Sequence, residues 1–544
     1  MDHLTESIDP FYCASHHKML QWVCTLAAPT VPLTAPSSRQ KDAGATMTAP
    51  STDNPSSTPS ESSSENPTLA IEGVGNRSTA GWVGILLILC LLSEEVAYAF
   101  NLVTPALPSM AGSFETSNIA WVSTLFTLSG AISAPLIGKL ADRDGKKKWL
   151  LIATACMATG SLIVAIAPTF SVVLVGRTVE GLGLAIVPIT YSLMRDIFPK
   201  RMLAMAVSMT TAGIGVTTIT GPVIAGVLID NFGFRGVFFA LALFPVLLGA
   251  LVMLVVPESP IRVKTSIDWV GGIMLGLSIA LLLYCIGEGG TWGWTSWKTL
   301  LCAIAAVAIF IGWARYEKRI ENPLIDIAVL RGRAVVTTLV AQFTGQAVIV
   351  LQFVLLSFIV QTPIALGVTY GLGESASYMA RLTTPAGVAT VAMGLLVGII
   401  AERRGARLPN WIGFALMAIG SASLALSHKE FWPILLGYLV YAFGAGLISA
   451  AIPNLVIAAA PVRLQAVTAS TVNVVGSVGS AVAVQIGFAI LALNIATVAD
   501  GTPIYAGIGY TTVYFVAAGL AIVGLAATLL MPHGRKPQSV EALT

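Results

Sequence analysis

The sequence predicts an all-α polytopic membrane protein, because its composition is too apolar for a soluble chain and its apolar residues fall in membrane-length runs. Of the 544 residues, 55% are hydrophobic and only 10% are charged, and the mean hydropathy is +0.82. Soluble globular chains contain about 25% charged residues, so this composition excludes a soluble enzyme. A formal net charge of +3 gives no signature of nucleic-acid binding.

Fourteen apolar runs follow one another from Gly81 onward, each close to the roughly 20 helical residues that a bilayer core of about 30 Å requires. Backbone groups in lipid must be paired within their own segment, so these runs are predicted to be helices. Their short connections leave no room for a soluble catalytic domain. The predicted helices span about residues 82–106, 118–138, 149–168, 171–194, 204–229, 236–256, 268–287, 299–316, 335–361, 378–400, 409–427, 432–456, 466–492 and 510–531.

Residues 1–80 differ from the rest of the chain and are predicted to be a disordered cytosolic tail. The stretch from Pro29 to Asn66 consists mainly of Ser, Thr, Pro and Ala, a composition that cannot bury enough surface to fold. Met47 is a second candidate for the start of translation, so the sequence leaves two possible start positions, Met1 and Met47. The six cysteines have no CxxC spacing and the five histidines lie in the tails or a short loop, so we expect no metal, no cofactor and no disulfide framework.

The basic residues predict how the helices are oriented. With both termini in the cytoplasm, the cytoplasmic loops carry nineteen Lys and Arg, whereas the outer loops carry only Arg235, Lys298, Arg381 and Lys429. This distribution satisfies the positive-inside rule, and the inverted topology violates it. We therefore expect a multi-pass protein of the cell (plasma or inner) membrane with both termini in the cytoplasm.

Two loops, eight helices apart, share the same pattern of Gly, acid, Arg, Gly and a final base. The loop after the second run contains Gly138, Asp142, Arg143, Gly145, Lys146 and Lys147. The loop after the tenth run contains Gly398, Glu402, Arg403, Gly405 and Arg407. An internal repeat of this kind indicates two homologous six-helix halves. The predicted domains are the tail 1–80, a first half 81–257, a linker 258–333 with two central extra helices, a second half 334–531 and a C-terminal tail 532–544.

The first of these loops resembles the cytoplasmic motif G-x-x-x-D-R-x-G-R-K of the major facilitator superfamily. We expect this loop to act as a conformational gate. Gly138 is expected to let two helix ends approach closely, and Asp142 to face a helix N-terminus of the opposite half, where partial positive charge favours it. Arg143 and Lys146 are expected to hold the loop on the cytoplasmic side. The alternative is an ordinary basic loop.

Two helices carry further motifs that resemble the superfamily. The fourth contains Arg177-Thr-Val-Glu180-Gly181-Leu-Gly183, similar to R-x-x-Q-G-x-G with Glu in place of Gln. The fifth contains Gly221-Pro222-Val-Ile-Ala225-Gly226, similar to the antiporter motif G-P-x-x-G-G with Ala at one Gly position. A proline flanked by small residues kinks a helix and allows close packing, so a kink alone is the alternative interpretation of the second motif.

The two extra helices narrow the resemblance to the 14-helix drug:proton antiporter family. The segments Ser266-Ile-Asp268-Trp269, Arg315-Tyr-Glu317 and Phe358-Ile-Val-Gln361 all resemble that family. The family carries an intramembrane Asp nine residues before the Pro of an A-L-P sequence. Here Ala106-Leu107-Pro108 is present, but Ala99 occupies the Asp position, and acids occur at Glu94 and Glu95 instead. Residue 95 is one turn before 99 and on nearly the same face.

Four charged residues within the first half are candidates for proton coupling: Glu94, Glu95, Arg177 and Glu180. Placing an ionised side chain at the membrane centre costs at least about 2.5–3.5 kcal/mol. Each of these residues is therefore expected to have a functional or a structural role. Arg177 and Glu180 are three residues apart and can pair. Our hypothesis is that Glu95 alternately binds a proton and pairs with Arg177. The alternative is a static buried pair that stabilises the contact between the first and fourth helices.

In the second half the candidates for substrate binding are Gln342, Gln346, Asn454 and Asn473, each of which can bind a substrate or a neighbouring helix. The resemblance implies a monomeric secondary transporter that moves a small-molecule substrate by alternating access. We expect proton-coupled antiport that exports hydrophobic or amphipathic compounds, as in multidrug efflux. Proton-coupled transport of a specific metabolite and, less readily, a polytopic membrane enzyme are the alternatives.

Overall fold

The computed structural model describes residues 79–263, 266–320, 325, 332–363, 368, 370–427, 429–459, 465–499 and 502–535. The predicted tail, with Met1 and Met47, lies outside the described residues except for positions 79 and 80. Three basic residues counted in the orientation argument, Lys264, Arg331 and Arg463, also lie outside them.

The described part of the chain is helical apart from one hairpin and short connections. Up to the linker its helices are α1 (Thr79–Ser113), α2 (Ala120–Asp144), α3 (Lys146–Ala165), α4 (Phe170–Gly181), a 3-10 turn (Leu182–Ala185), α5 (Ile186–Ile197) and α6 (Lys200–Val255). The two extra helices are α7 (Trp269–Trp292) and α8 (Trp297–Glu317). The later helices are α9 (Arg333–Gln361), α10 (Ala376–Arg404), α11 (Arg407–Leu426), α12 (Phe431–Ala459), α13 (Gln465–Ala492) and α14 (Gly507–Leu529).

Thirteen helical stretches of the described chain are long and apolar enough to cross a membrane, which makes this a multi-pass membrane protein. One stretch joins α4 and α5 through the 3-10 turn, as Phe170–Ile197. Another lies in α6, whose 56 residues include Gly233 at φ 65° and ψ −174°, a non-helical conformation that separates two helical arms. These arms coincide with the predicted fifth and sixth helices, while the count of fourteen stays a prediction.

The helices pack mainly with partners from the same half. In the first half α6 packs against α1 and α3, and in the second half α12 packs against α10 and α11, and α9 against α13 and α14. Among the described residues, three pairs make the main contacts between the halves: α6 with α10, α2 with α13, and α1 with α9. The extra helix α7 packs on α2 and α13, and α8 packs on α7. The extra pair therefore lies beside one of the three contacts between the halves.

The chain passes back and forth between two ends of this bundle. We call the end that carries the loop 114–119 the distal end, and the opposite end, where α2 meets α3, the Gly145 end. The loop between α13 and α14 lies at the distal end and forms an antiparallel hairpin of β1 (Ile495–Ala499) and β2 (Thr502–Tyr505). The apolar pattern predicts only helices here, because this short hairpin follows an uninterrupted apolar run.

Candidate functional site

A buried ion pair lies at the middle of the first half. Arg177 Nη1 donates to Glu180 Oε2 at 2.8 Å, and Arg177 Nε donates to the carbonyl oxygen of Val122 at 2.9 Å. The guanidinium also lies 4.3 Å from the ring centroid of Phe126, a cation–π contact. Arg177 is 2% exposed and Glu180 is fully buried. The predicted pair is therefore present, and it holds α4 against α2.

Glu95 is close to this pair but is not part of it. Its side chain is completely buried on α1, and neither carboxyl oxygen has a hydrogen-bond partner among the described residues. Glu180 interacts with it electrostatically. One turn further along α1, Ala99 lines the same small cavity as Arg177. The face of α1 that carries Glu95 and Ala99 thus points towards the ion pair, as the one-turn spacing predicted.

Glu94 points to a different helix although it is the next residue in the chain. Its Oε2 accepts a hydrogen bond from Thr217 Oγ1 on α6 at 3.3 Å. Gly213 of α6 leaves the space that the Glu94 carboxyl group fills, since a Cβ there would lie 2.6 Å from Glu94 Cδ. The two adjacent acids therefore belong to separate contacts, Glu95 towards α4 and Glu94 towards α6.

The antiporter-like motif on α6 makes close contacts on two sides. A Cβ at Gly221 would lie 2.6 Å from Asn101 Cβ of α1, and a Cβ at Gly226 would lie 2.8 Å from the backbone nitrogen of Ser377 on α10. Pro222 lies between these two glycines, inside the helix. Gly221 therefore allows α6 to approach its own half, and Gly226 allows it to approach the opposite half. Besides its proline, the motif therefore provides close packing contacts with both halves.

The gate loop is held by ion pairs within the first half. Lys146 is 2% exposed and pairs with Asp196 at the end of α5. Glu258 accepts hydrogen bonds from the backbone nitrogens of Lys147 at 2.9 Å and Lys148 at 3.3 Å, and so caps the start of α3. A buried ion pair and a capped helix N-terminus fix the loop against the ends of α5 and α6.

One expectation for the gate loop is wrong in this conformation. A Cβ at Gly138 would have no atom of the described residues within 4 Å, so none of the described helix ends approaches closely there. Asp142 Oδ1 lies 3.4 Å from Lys146 Nζ in the same loop. Arg143 pairs with Asp144 at 2.7 Å in an exposed position.

The repeated copy of the gate loop differs from the first. Glu402 and Arg403 are exposed at the end of α10, whereas Arg407 donates through Nε to the carbonyl oxygen of Thr528 at 3.0 Å. The second copy is therefore tied to α14 through its final base.

The four predicted substrate-binding residues of the second half occupy different environments. Gln342 is 8% exposed and faces Gly476 of α13, where a Cβ would lie 2.6 Å from its Nε2. Gln346 also borders Gly476. Asn454 donates to the carbonyl oxygen of Ala450 in its own helix at 3.0 Å, and Asn473 is exposed. The two glutamines come together at the α9–α13 contact.

Hydrogen bonds between the halves are found at the distal end. Ser357 Oγ donates to the carbonyl oxygen of Thr104 at 3.0 Å, and Gln361 Nε2 donates to the carbonyl oxygen of Pro105 at 2.9 Å. Pro108 has no amide hydrogen, so the Thr104 carbonyl lacks its helical donor and is free to accept from the other half. The A-L-P sequence and the Phe358–Gln361 segment therefore meet in one contact.

Two further contacts close the distal end. Gln485 Nε2 of α13 donates to Thr124 Oγ1 of α2 at 3.2 Å. Asp230 of α6 accepts hydrogen bonds from the backbone nitrogens of Ala376 and Ser377 of α10, both at 3.2 Å. Sequence reasoning missed Asp230 because an acid at the end of an apolar run has the appearance of an ordinary loop residue.

Comparisons with known proteins agree with this architecture. Residues 96–484 match the model of the Major Facilitator Superfamily. The chain is 27% identical over 404 residues to the multidrug resistance protein Stp of Mycobacterium tuberculosis (strain ATCC 25618 / H37Rv), covering 72% of this chain and 71% of that protein. It is also 27% identical over 410 residues to the tetracenomycin C resistance and export protein of Streptomyces glaucescens, covering 71% and 72%.

Solved structures support the fold. A crystal structure of the human organic anion transporter MFSD10 (TETRAN) matches with a TM-score of 0.54 at 15% identity, covering 82% of this chain and 99% of that one. A crystal structure of the peptide transporter POT in complex with sulfate matches with a TM-score of 0.59 at 15% identity, covering 84% and 96%. The family match covers most of the chain, and the buried charges and the repeated loop agree with it. The chain therefore belongs to the major facilitator superfamily and is a transporter.

Proposed function

We propose that this transporter is a proton-coupled antiporter that exports hydrophobic or amphipathic small molecules by alternating access between its two halves. The observation that carries the proposal is Glu95, a fully buried carboxyl group beside the Arg177–Glu180 pair that has no hydrogen-bond partner in the described part of the chain. The names of the relatives, multidrug resistance and antibiotic export proteins, support the substrate class.

Glu95 is suited to carry the proton because its charged form is costly in this conformation. A buried ionised carboxylate requires donors or a cation, and the nearby guanidinium of Arg177 already donates to Glu180. We infer that Glu95 is protonated here. When it releases the proton, the carboxylate gains a partner if Arg177 turns from Glu180 towards the Ala99–Arg177 cavity. Proton release by Glu95 is thereby linked to a change in the partner of Arg177.

The proposed orientation places the Gly145 end in the cytoplasm, as the basic loops favour. The contacts between the halves at the distal end then correspond to a conformation closed to the outside. A proton that enters the cell down a potential of 100 mV supplies about 2.3 kcal/mol, in addition to any pH gradient. For one proton exchanged against one neutral molecule, that free energy is sufficient to drive export against a concentration gradient of roughly fiftyfold, because each 1.4 kcal/mol is a factor of ten.

Expression in a bacterial host that lacks its own efflux pumps tests the proposed substrate class. The cells are challenged with a panel of lipophilic cations, neutral aromatic antibiotics and hydrophilic aminoglycosides. We expect tolerance to rise severalfold for lipophilic members and to stay unchanged for aminoglycosides. If the protein is present in the membrane but tolerance rises for none of the lipophilic compounds, the result contradicts the proposal and favours transport of a specific metabolite.

A matched pair of variants tests the coupling. Glu95→Gln removes the titratable group and keeps the shape of the side chain, and Glu94→Gln does the same at the contact with α6. We expect Glu95→Gln to abolish tolerance at equal expression. If cells carrying Glu95→Gln tolerate the compounds as well as the unmodified protein does, Glu95 is not the coupling residue.

A further inference from the structure

Asp230 makes a contact between the halves that none of the predicted motifs contains. It is the last acid of the first arm of α6, near the distal end, and its side chain is exposed. Both of its carboxylate oxygens accept a backbone hydrogen bond from the opposite half, Oδ1 from Ala376 and Oδ2 from Ser377, each at 3.2 Å. Asp230 therefore contacts the first turn of α10 in the opposite half.

The first turn of α10 lacks a cap of its own. Ser375 precedes the helix in an extended conformation, but its side chain makes no capping hydrogen bond, and the first turn contains no acidic residue. The first four amides of a helix need external acceptors, and the partial positive charge there favours an anion. Asp230 supplies both the acceptor oxygens and the negative charge, across the boundary between the halves.

The backbones are close enough for this contact because Gly226 lies one turn before Asp230. A Cβ at Gly226 would lie 2.8 Å from the Ser377 nitrogen. The glycine and the acid thus face the same turn of α10, and the glycine brings the backbones together while the acid supplies the hydrogen bonds. When the halves separate at the distal end, both contacts are lost and the α10 amides are left to water.

We propose that Asp230 is the latch of the distal gate, holding α6 of the first half to the first turn of α10 of the second half whenever the transporter is closed at that end. This inference rests on the alternating-access part of the proposed function and is independent of proton coupling. The latch stabilises one of the two conformations, so its removal shifts the population towards the form that is open at the distal end.

A distance measurement between two exposed loops of the distal end tests the latch. Spin labels are attached at Ser117→Cys in the first half and Ser427→Cys in the second, both exposed, in protein whose native cysteines are replaced. Electron–electron resonance in nanodiscs then gives the distance distribution. We expect Asp230→Ala to raise the ratio of long to short distances by at least about fivefold, the change expected when charge-assisted hydrogen bonds are lost.

The neighbouring residue provides the control. Asn231 is also exposed, but its amide donates to the carbonyl oxygen of Val227 in its own helix at 2.8 Å, so Asn231→Ala should leave the distribution unchanged. Asp230→Asn, which keeps an acceptor oxygen without the charge, should give an intermediate shift and guards against misfolding of the alanine variant. Identical distributions for Asp230→Ala, Asp230→Asn and Asn231→Ala would overturn the latch. The distances do not depend on a pH gradient, so failure of proton coupling leaves this result unaffected.

Discussion

Arg177 is paired with Glu180 rather than with Glu95, at 2.8 Å between Nη1 and Oε2. The pair is on one helix face, is almost completely buried and is further fixed by the Val122 carbonyl. This arrangement separates two roles that the four charged residues could share. Arg177 and Glu180 make a structural contact in this conformation, and Glu95 is the group that we propose gains and loses a proton.

The two glutamates should therefore respond differently to neutralisation. Glu180→Gln leaves the buried Arg177 guanidinium without its counter-charge, and such a loss costs about 3–5 kcal/mol. Glu95→Gln replaces a carboxyl group that has no partner, so we expect no loss of stability. Thermal unfolding of the purified variants in detergent measures the difference. Equal unfolding temperatures for the two variants would contradict the division of roles.

Gly226 should tolerate a methyl group poorly, because its Cβ would lie 2.8 Å from the Ser377 nitrogen of the opposite half. Overpacking of this kind costs about 1–3 kcal/mol. We expect Gly226→Ala to reduce export while the protein remains folded, since the clash arises only when the distal end closes. Gly519→Ala is the matched control, because a Cβ there has no atom within 4 Å. Export at the unmodified rate in Gly226→Ala would show that close packing at this point is dispensable.

The contact between Ser357 and Thr104 should depend on Pro108. Ser357→Ala leaves the buried Thr104 carbonyl without its donor, at a cost of about 1–3 kcal/mol to the closed state. Pro108→Ala restores an amide that pairs with Thr104 within α1, so the double variant should lose less than Ser357→Ala alone. A double-mutant cycle on the spin-label distances measures the coupling. Additive effects of the two substitutions would contradict this explanation of the A-L-P sequence.

The C-terminal segment at the Gly145 end should release at low pH. Burial lowers the pKa of His533, and the positive charge of Arg407 lowers it further. His533 Nε2 lies 3.2 Å from Thr338 Oγ1, and the carbonyl oxygen of Gly534 accepts from the Arg407 backbone nitrogen at 3.0 Å. The docked segment thus favours neutral histidine. As the pH falls below about 6.5, the ordinary value, the undocked form takes up a proton more readily and docking weakens.

Hydrogen exchange of residues 531–535 measures this docking. Protection should be higher at pH 7.5 than at pH 5.5 after correction for the intrinsic rate, and His533→Gln should remove the difference. The same protection at both pH values in the unmodified protein would show that the histidine does not control the segment.

The sequence predicted the helices and the paired Arg177–Glu180 well, because both follow from short-range periodicity. Apolar runs of membrane length leave little choice of structure, and a spacing of three residues brings two side chains together on any helix. Glu95 on the face of Ala99 was predictable for the same reason. The two arms of α6 also coincide with two predicted helices, although only Gly233 departs from helical backbone angles between them.

Contacts between the halves could not be predicted in the same way. Asp230 and the first turn of α10 are far apart in the chain, and the sequence around each gives no indication that it contacts the other. Gly138 was expected to allow close approach, whereas Gly226 is among the glycines that meet the opposite half.

Flux through proteoliposomes with Glu95→Gln tests the central claim most directly. The probe is a fluorescent lipophilic compound to which the unmodified protein confers tolerance. Two rates are measured, uptake driven by an imposed pH gradient and exchange of the probe at equal pH on both sides. We predict that Glu95→Gln abolishes the driven uptake and retains exchange, because binding and alternation persist without the titrating group. Driven uptake at the unmodified rate would contradict the account.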